Sequence, residues 1–595
     1  MKIIDIRTKN IPDEERLKDS RVGFHLDVKG LPAAQARQLP HYEIELGKHE
    51  KTTGWFTWFR GWKQVSVAFT THFGLKRYRV KTWFMISCFL LLALMETLPI
   101  ANSALNLISS GKQLAHHASA QNLFAASLAL KETNKSLATL GEIPKRLSDK
   151  FQALNIGSAW AEFFLRTAGF YNPRSYLVLF ENNAEIRATG GFIGSYALIN
   201  VDEGKIEIKK LEGIYNVSGQ QRVRVVPPLP IQKVSQSWMF HDANWFFDFP
   251  TSAKAVMWFY EKSGGPTVDG VIALTPEVIT RLLEYTGPIR LPKFGVTISK
   301  DSFIDTIQYE VETKYKARGL ADPKEILSHL APGLLKKVET LPRQTLANLA
   351  LDSLLQKAIL FYFDRPEEEA FMNYLHWGGA VAGLPGDYLA VVNTNINGFK
   401  TDRFIRQHVS LARAIDENGD IIDTLSITRE HKGGSQPYSW YNKVNADYLR
   451  VYVPQGSTLL EVHGQTKEAF SRTRDYPALG FLQYPELAKT MASVRTDEDT
   501  TTSVWQESGK TVFGNWMYVS PQERATITYR YKLPFGAHTD TASVNAPLTV
   551  QKQPGITYTF THSLDTPSNW KLLWQSPQQE FLTHDTLYDA VFSVQ

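Results

Sequence analysis

Residues 176–201 read YLVLFENNAEIRATGGFIGSYALINV. Tyr176–Phe180 is an unbroken apolar run, as expected of a strand covered on both faces. Phe192–Val201 is a second such run. Asp202–Glu203–Gly204–Lys205 then turns the chain into a third, alternating stretch, Lys205–Leu211. A strand, a polar loop and a strand hairpin follow one another, which places this part of the chain in a mixed α/β (α+β) domain. The loop is dense in chemistry. Asn182, Asn183, Glu185, Arg187 and Thr189 are crowded into it, and Gly190 and Gly191 permit positive φ or close backbone approach.

Two readings of that loop stand side by side. As a ligand site, Arg187 offers a planar two-pronged donor to a phosphate or carboxylate, and the glycine amides add donors. As an internal network, Glu185 pairs with Arg187 and the asparagines cap turns. No Lys-Ser or Lys-Thr follows the glycines, so this is not a phosphate-binding loop of the P-loop kind. The readings differ in an observable way. A ligand site requires a cleft with Arg187 facing it, whereas a scaffold requires Arg187 buried and paired with Glu185.

Further candidates lie downstream. In QQRVRVVPPLP, residues 220–230, alternation puts Arg222 and Arg224 on one face of a predicted strand, where they can reach phosphate or simply be solvated. In HDANWFFDFP, residues 241–250, Asp242, Asn244 and Asp248 stand at spacings that suit oxygen ligands of Ca²⁺ or Mg²⁺, against the alternative of a turn-rich loop with aromatic anchors. Asn397, Gly398, Lys400 and Asp402 form another polar turn, in which Lys400 and Asp402 either join the site or pair with each other. No cofactor is implied and no metal site is assigned. No Ser-His-Asp order, HExxH or paired-carboxylate motif stands out, and no catalytic residue can be named.

The chain has 595 residues, enough for about three to five domains. With 43% hydrophobic and 21% charged residues it is too apolar to be disordered. Its mean hydropathy of −0.24 excludes a polytopic transporter. A single cysteine, Cys88, excludes intramolecular disulfides and cysteine-based zinc sites. Met1–Lys81 holds 16 Lys and Arg against 9 Asp and Glu, a net of +7 where the whole chain has +5. Basicity is therefore confined to the N-terminal segment, and nothing points to nucleic acid.

Beyond that segment, Trp83–Met95 reads WFMISCFLLLALM and continues to Ala101. A helix over residues 83–101 rises about 28 Å, close to the hydrocarbon core of about 30 Å. Lys76, Arg77, Arg79 and Lys81 precede it, and no Lys or Arg follows until Lys112. The positive-inside rule then predicts an uncleaved signal anchor in the cell membrane, N-terminus cytoplasmic and C-terminal bulk extracytoplasmic. Before the anchor, GWFTWFRGWKQVSVAFTT, residues 54–71, suits the inner membrane face or the buried helix of a small domain. Residues 102–170 are helical in pattern. The chain is β-rich from about Thr401, with a hairpin at Asn418–Gly419–Asp420 and an alternating run at Val512–Pro534, which predicts a β-sandwich. The expected order is a basic segment 1–81, an anchor 82–101, a helical segment 102–170, a mixed α/β domain 171–400, a sandwich 401–540 and a C-terminal β segment 541–595.

YLVLFENNAEIRATGGFIGSYALINVDEGKI resembles the signature of a bacterial family, the domain of unknown function 4012. Phe240–Pro292 and Asp387–Ile405 agree with that resemblance in order. It implies a membrane-anchored bacterial protein and no settled activity. More distantly, the order of strand, Arg-bearing loop, hairpin and later strand–helix (Val268–Leu291) is similar to the LytR–CpsA–Psr envelope proteins. Those proteins transfer lipid-linked glycopolymers, and by position Arg187 matches their loop arginine. The family's Arg-Ser-Asp run is here Arg187-Ala188-Thr189, and LEGIYN, residues 211–216, replaces its Pro-Arg-Asp. The expected function is a cell-envelope protein that binds or transfers a phosphate-bearing glycopolymer or its lipid-linked precursor, with membrane lipid and an anionic glycan or lipid-linked sugar as partners. The alternative is a non-enzymatic surface adhesin or envelope scaffold.

Overall fold

The computed structural model describes residues 162–315, 324–468, 474–537 and 543–594. The predicted anchor, the aromatic stretch 54–71 and most of the helical stretch 102–170 lie outside those residues, while 162–167 are helical. Among the described residues no helix is long and apolar enough to cross a membrane.

The run that opens the α/β part forms strand β1, Arg174–Asn182, which pairs antiparallel with β2, Phe192–Asp202. The turn at Glu203 and Gly204, both at positive φ, leads into β3, Lys205–Gly213. After helices α1, Ile214–Ser218, and α2, Phe249–Lys262, strand β4, Gly270–Leu274, pairs parallel with β1. Helix α3, Pro276–Thr286, is followed by the short hairpin β5, Ile289–Leu291, and β6, Val296–Ile298. Helices α4, Phe303–Tyr309, α5, Glu325–Val338, and α6, Arg343–Leu355, lead to β7, Ile359–Phe363, which completes a sheet of order β3–β2–β1–β4–β7. The central strand alternates between two cores. Leu177 and Leu179 pack with Val256 and Phe259 of α2, and Tyr176 packs with Phe163, Phe363 and Met372 of α7, Pro366–Tyr374. Asp248 starts α2, its Oδ2 accepting from the Thr251 amide at 3.1 Å.

Two larger sheets follow. One orders β13 (Arg495–Thr496), β14 (Ser503–Glu507), β15 (Lys510–Val519), β11 (Asn445–Pro454), β8 (Asp387–Val392), β18 (Leu548–Val550) and β22 (Thr586–Tyr588). The other orders β12 (Thr458–His463), β16 (Arg524–Gly536), β10 (Asp420–His431), β9 (Ile405–Ile415), β19 (Tyr558–Asp565) and β21 (Phe581–Leu582). A small third sheet holds β17 (Ser543–Asn545), β23 (Ala590–Val594) and β20 (Trp570–Gln575). The two large sheets face each other across a core of Val391, Val451 and Phe513 against Val409, Leu425, Ile527, Tyr529 and Tyr531. The sandwich thus draws β8 from the region assigned by sequence to the α/β domain, and strands of residues 548–588 complete both of its sheets.

The first of those sheets is buried on both faces, which explains its near-continuous apolar strands. Its second face, with Tyr388, Val392, Tyr448, Tyr452 and Trp516, shares a core with Trp245, Phe247 and α2. Trp245 stacks on Tyr448 and Phe247 tilts against Tyr452. The α/β part and the sandwich are welded through that shared core. Loop 182–191 lies at this weld.

Candidate functional site

A register shift at Phe180/Glu181 bulges the β1–β2 ladder, which then closes with the Asn182–Phe192 pair, where the loop begins. Asn182 Oδ1 accepts from the Ala184 amide at 3.1 Å, an Asx turn, and the Phe192 amide closes the loop on Glu185 O at 2.8 Å. Gly190 sits at φ 140°, where a Cβ would stand 2.7 Å from Glu181 Oε2. A Cβ on Gly191 would come within 2.4 Å of the Asn182 carbonyl carbon. Both glycines are required by this local fold.

Arg187 is 6% exposed and all five of its N–H groups have acceptors. Nε donates to Asp242 Oδ1 at 3.3 Å, and NH2 donates to the same oxygen at 3.2 Å and to Glu185 Oε1 at 3.1 Å. NH1 donates to Ile186 O at 3.2 Å and to Asn395 O. The guanidinium also lies 5.3 Å from the centre of the Phe192 ring. Glu185 is shared with Lys400, whose Nζ donates to Oε2 at 2.5 Å. Burial raises the Glu185 pKa, but the charges of Lys400 and Arg187 outweigh it and hold the carboxyl below its ordinary value.

The rest of the loop is tied down in the same manner. Asp402 accepts four bonds: from the Ile186 amide at 3.1 Å, Asn395 Nδ2 at 2.6 Å, Arg429 NH2 at 2.9 Å and Asn445 Nδ2 at 3.0 Å. Gln553 Nε2 donates to Arg187 O at 2.9 Å. Thr189 donates to Glu181 Oε1 at 2.7 Å, and Asn244 donates to Glu181, Thr189 and Gly191 O. Glu181 receives neutral donors, these two and the Gly191 amide, and burial pushes its pKa up to about 7. Asn182 Nδ2 reaches Gln308 at 3.1 Å, and Asn183 reaches Glu277 and Gly555 O.

The predicted site residues divide accordingly. Asn182, Asn183, Glu185, Arg187, Thr189, Gly190, Gly191, Lys400 and Asp402 come together. Arg222 and Arg224 do not join them, and they lie on no strand. Val225 makes an isolated bridge to Leu482, and Pro227 and Pro228 then remove the amides a ladder needs. Arg224 instead lies over the Phe481 ring at 5.1 Å. The side chains suggested for a cation go separate ways: Asp242 pairs with Arg187, Asn244 donates through Nδ2 to the loop while its Oδ1 has no hydrogen-bond partner among the described residues, and Asp248 caps α2. Among the described residues no group of three or more His, Cys, Asp or Glu is placed to hold a metal.

Sequence reasoning missed Asn395, Arg429, Asn445 and Gln553, which arrive from strands and turns far along the chain. It also missed a Ser-His-Asp row. Ser218 Oγ lies 3.3 Å from His241 Nδ1, and His241 Nε2 lies 3.4 Å from Asp242 Oδ2. Ser218 is 2% exposed and Asp242 is already held by Arg187, so the row presents no open nucleophile.

Among solved structures, a putative nutrient binding protein from Legionella pneumophila aligns at 7% identity over 35% of this chain and 71% of its own, with a TM-score of 0.15. An M1 zinc metallopeptidase from Deinococcus radiodurans aligns at 11% identity over 36% of this chain and 41% of its own, with a TM-score of 0.14. Likenesses of that size carry no argument. No curated protein matches the chain. Residues 172–311, from the start of β1 through α4, match the family described as protein of unknown function DUF4012. That segment contains the loop, Asp242 and Asn244, and it is through this segment that the chain is similar to the DUF4012 family.

Proposed function

We propose that this is a membrane-anchored, extracytoplasmic envelope protein that binds or spaces and does not catalyse, with loop 182–191 as the staple that joins its α/β part to its sandwich. One observation carries the non-catalytic reading: every N–H of Arg187 is committed to a protein acceptor. A transferase of the LytR–CpsA–Psr kind needs its loop arginine free for a pyrophosphate. Here phosphate would have to displace two carboxylates, Asp242 and Glu185, that are already desolvated around the guanidinium. The membrane part of the proposal rests on the apolar run at residues 83–101 and its one-sided basic flank.

The test uses the full-length chain in detergent with a polyprenyl-pyrophosphate sugar as probe. The proposal expects Arg187→Ala to lower stability sharply and Arg187-dependent binding to be absent. Binding that needs Arg187 in a variant of unchanged stability overturns it. Protease treatment of intact cells tests the location separately: residues beyond the anchor should be cut, and their full protection contradicts an extracytoplasmic placement.

A further inference from the structure

A cleft of about 220 Å³ is bounded by the loop, α3, α4, the start of β9 and residues 555–557. Its polar groups are in a different condition from those of Arg187. Gln407 is 7% exposed, yet neither Oε1 nor Nε2 has a hydrogen-bond partner among the described residues. Glu277 Oε1 accepts from Asn183, while its Oε2 is buried with no partner among the described residues. Most buried polar atoms in folded proteins are paired, and a desolvated amide with both ends idle is unfavourable. Three rotatable bonds let the Gln407 amide turn into the cleft it lines.

The wall also states the charge of what fits. Arg429 is paired with Asp402 and Asp447, and Arg403 with Asp305 at 2.8 Å. Arg406 also lines the cleft and has no ion pair among the described residues, but it is exposed, and alternation puts its side chain on the opposite face of β9 from Gln407. The buried Gln407 thus has no unpaired cation on its own face of that strand to draw a phosphate, and Glu277 Oε2 accepts only. The occupant must bring hydroxyl-like donors to Glu277 and both a donor and an acceptor to Gln407. Ile304, Ile405 and Ile556 supply apolar walls for a ring. A volume below the roughly 300–1,000 Å³ of drug-sized pockets limits the occupant to about one ring. An ammonium group would bring three donors to only two idle side-chain acceptors. Beside the cleft, Asp305 also receives the Tyr441 hydroxyl at 3.0 Å. Near Tyr441, Tyr438 stacks on Trp440 at 4.7 Å and on Tyr309 at 5.3 Å, giving flat aromatic surface next to the polar groups.

We propose that this cleft binds a single uncharged sugar ring, with Gln407 and Glu277 reading its hydroxyls. The inference rests on the cleft alone and not on where the protein resides. The test titrates the full-length chain in detergent with methyl glycosides of glucose, galactose, mannose and N-acetylglucosamine, and with glucuronate and glucose 1-phosphate, by saturation-transfer NMR. At least one neutral glycoside is expected to bind, and Gln407→Leu is expected to weaken it at least tenfold while raising the melting temperature. Gln407→Glu, which keeps the shape and removes the donor, should weaken it too and guards against a folding defect in the first variant. Binding of the charged probes alone, binding of none, or undiminished binding by both variants overturns the proposal. Arg187→Ala failing to destabilise the chain would sink the staple and leave this site untouched, so the two proposals fail separately.

Discussion

Arg187 and Gln407 are buried to nearly the same degree, yet their surroundings differ. The five N–H donors of Arg187 all find acceptors, four atoms in all, with Asp242 Oδ1 taking two of the bonds. Gln407 meets none. Burial alone therefore says little about role. A charge whose hydrogen bonds all close within the protein holds structure together, and a polar group whose bonds stay open has capacity left for something else.

The contrast breaks first at Arg187. Replacing it with alanine leaves Asp242 and Glu185 buried beside an absent cation, and about 3–5 kcal/mol of stability should be lost, read by urea unfolding followed by tryptophan fluorescence. Glu181 comes next. Its pKa is raised from 4.5 to about 7, so the folded state holds a proton that the unfolded state has released. The contribution of Glu181 to stability should therefore be greatest below about pH 4.5 and fall by about 3 kcal/mol as pH rises to about 7. Glu181→Gln should flatten that slope in unfolding measured across pH. Gln407→Leu should act in the other direction, raising stability by about 1–2 kcal/mol because an unpaired desolvated amide is removed. Lys400→Met should have the smallest effect, about 1 kcal/mol, because Glu185 keeps Arg187 as a partner.

The sequence announced its local structure well. Glu203–Gly204 and Asn418–Gly419 are turns because their neighbours alternate, and Gly204 and Gly419 take the positive φ expected there. Pro276 begins α3 and Gly287 ends it. The Glu185–Arg187 pairing was legible, being two residues apart. What closed the network was not. Asn395, Arg429 and Gln553 reach the loop only because β8 joins the sandwich, where β18 lies parallel to it about 160 residues later. Parallel pairing at that distance leaves no local trace, and a buried apolar strand such as Asp387–Val392 does not reveal which sheet it enters. Asp242 and Asn244 looked like cation ligands because the chemistry of an acceptor is the same whether it faces a metal or a guanidinium.

Hydrogen–deuterium exchange of the peptides spanning residues 182–191 tests the staple most directly. The amides of Ala184, Glu185, Ile186, Gly190 and Phe192 all have acceptors in the folded protein. Protection approaching that of β1 is the expected result. Exchange as fast as that of an open surface loop would contradict the closed network around Arg187.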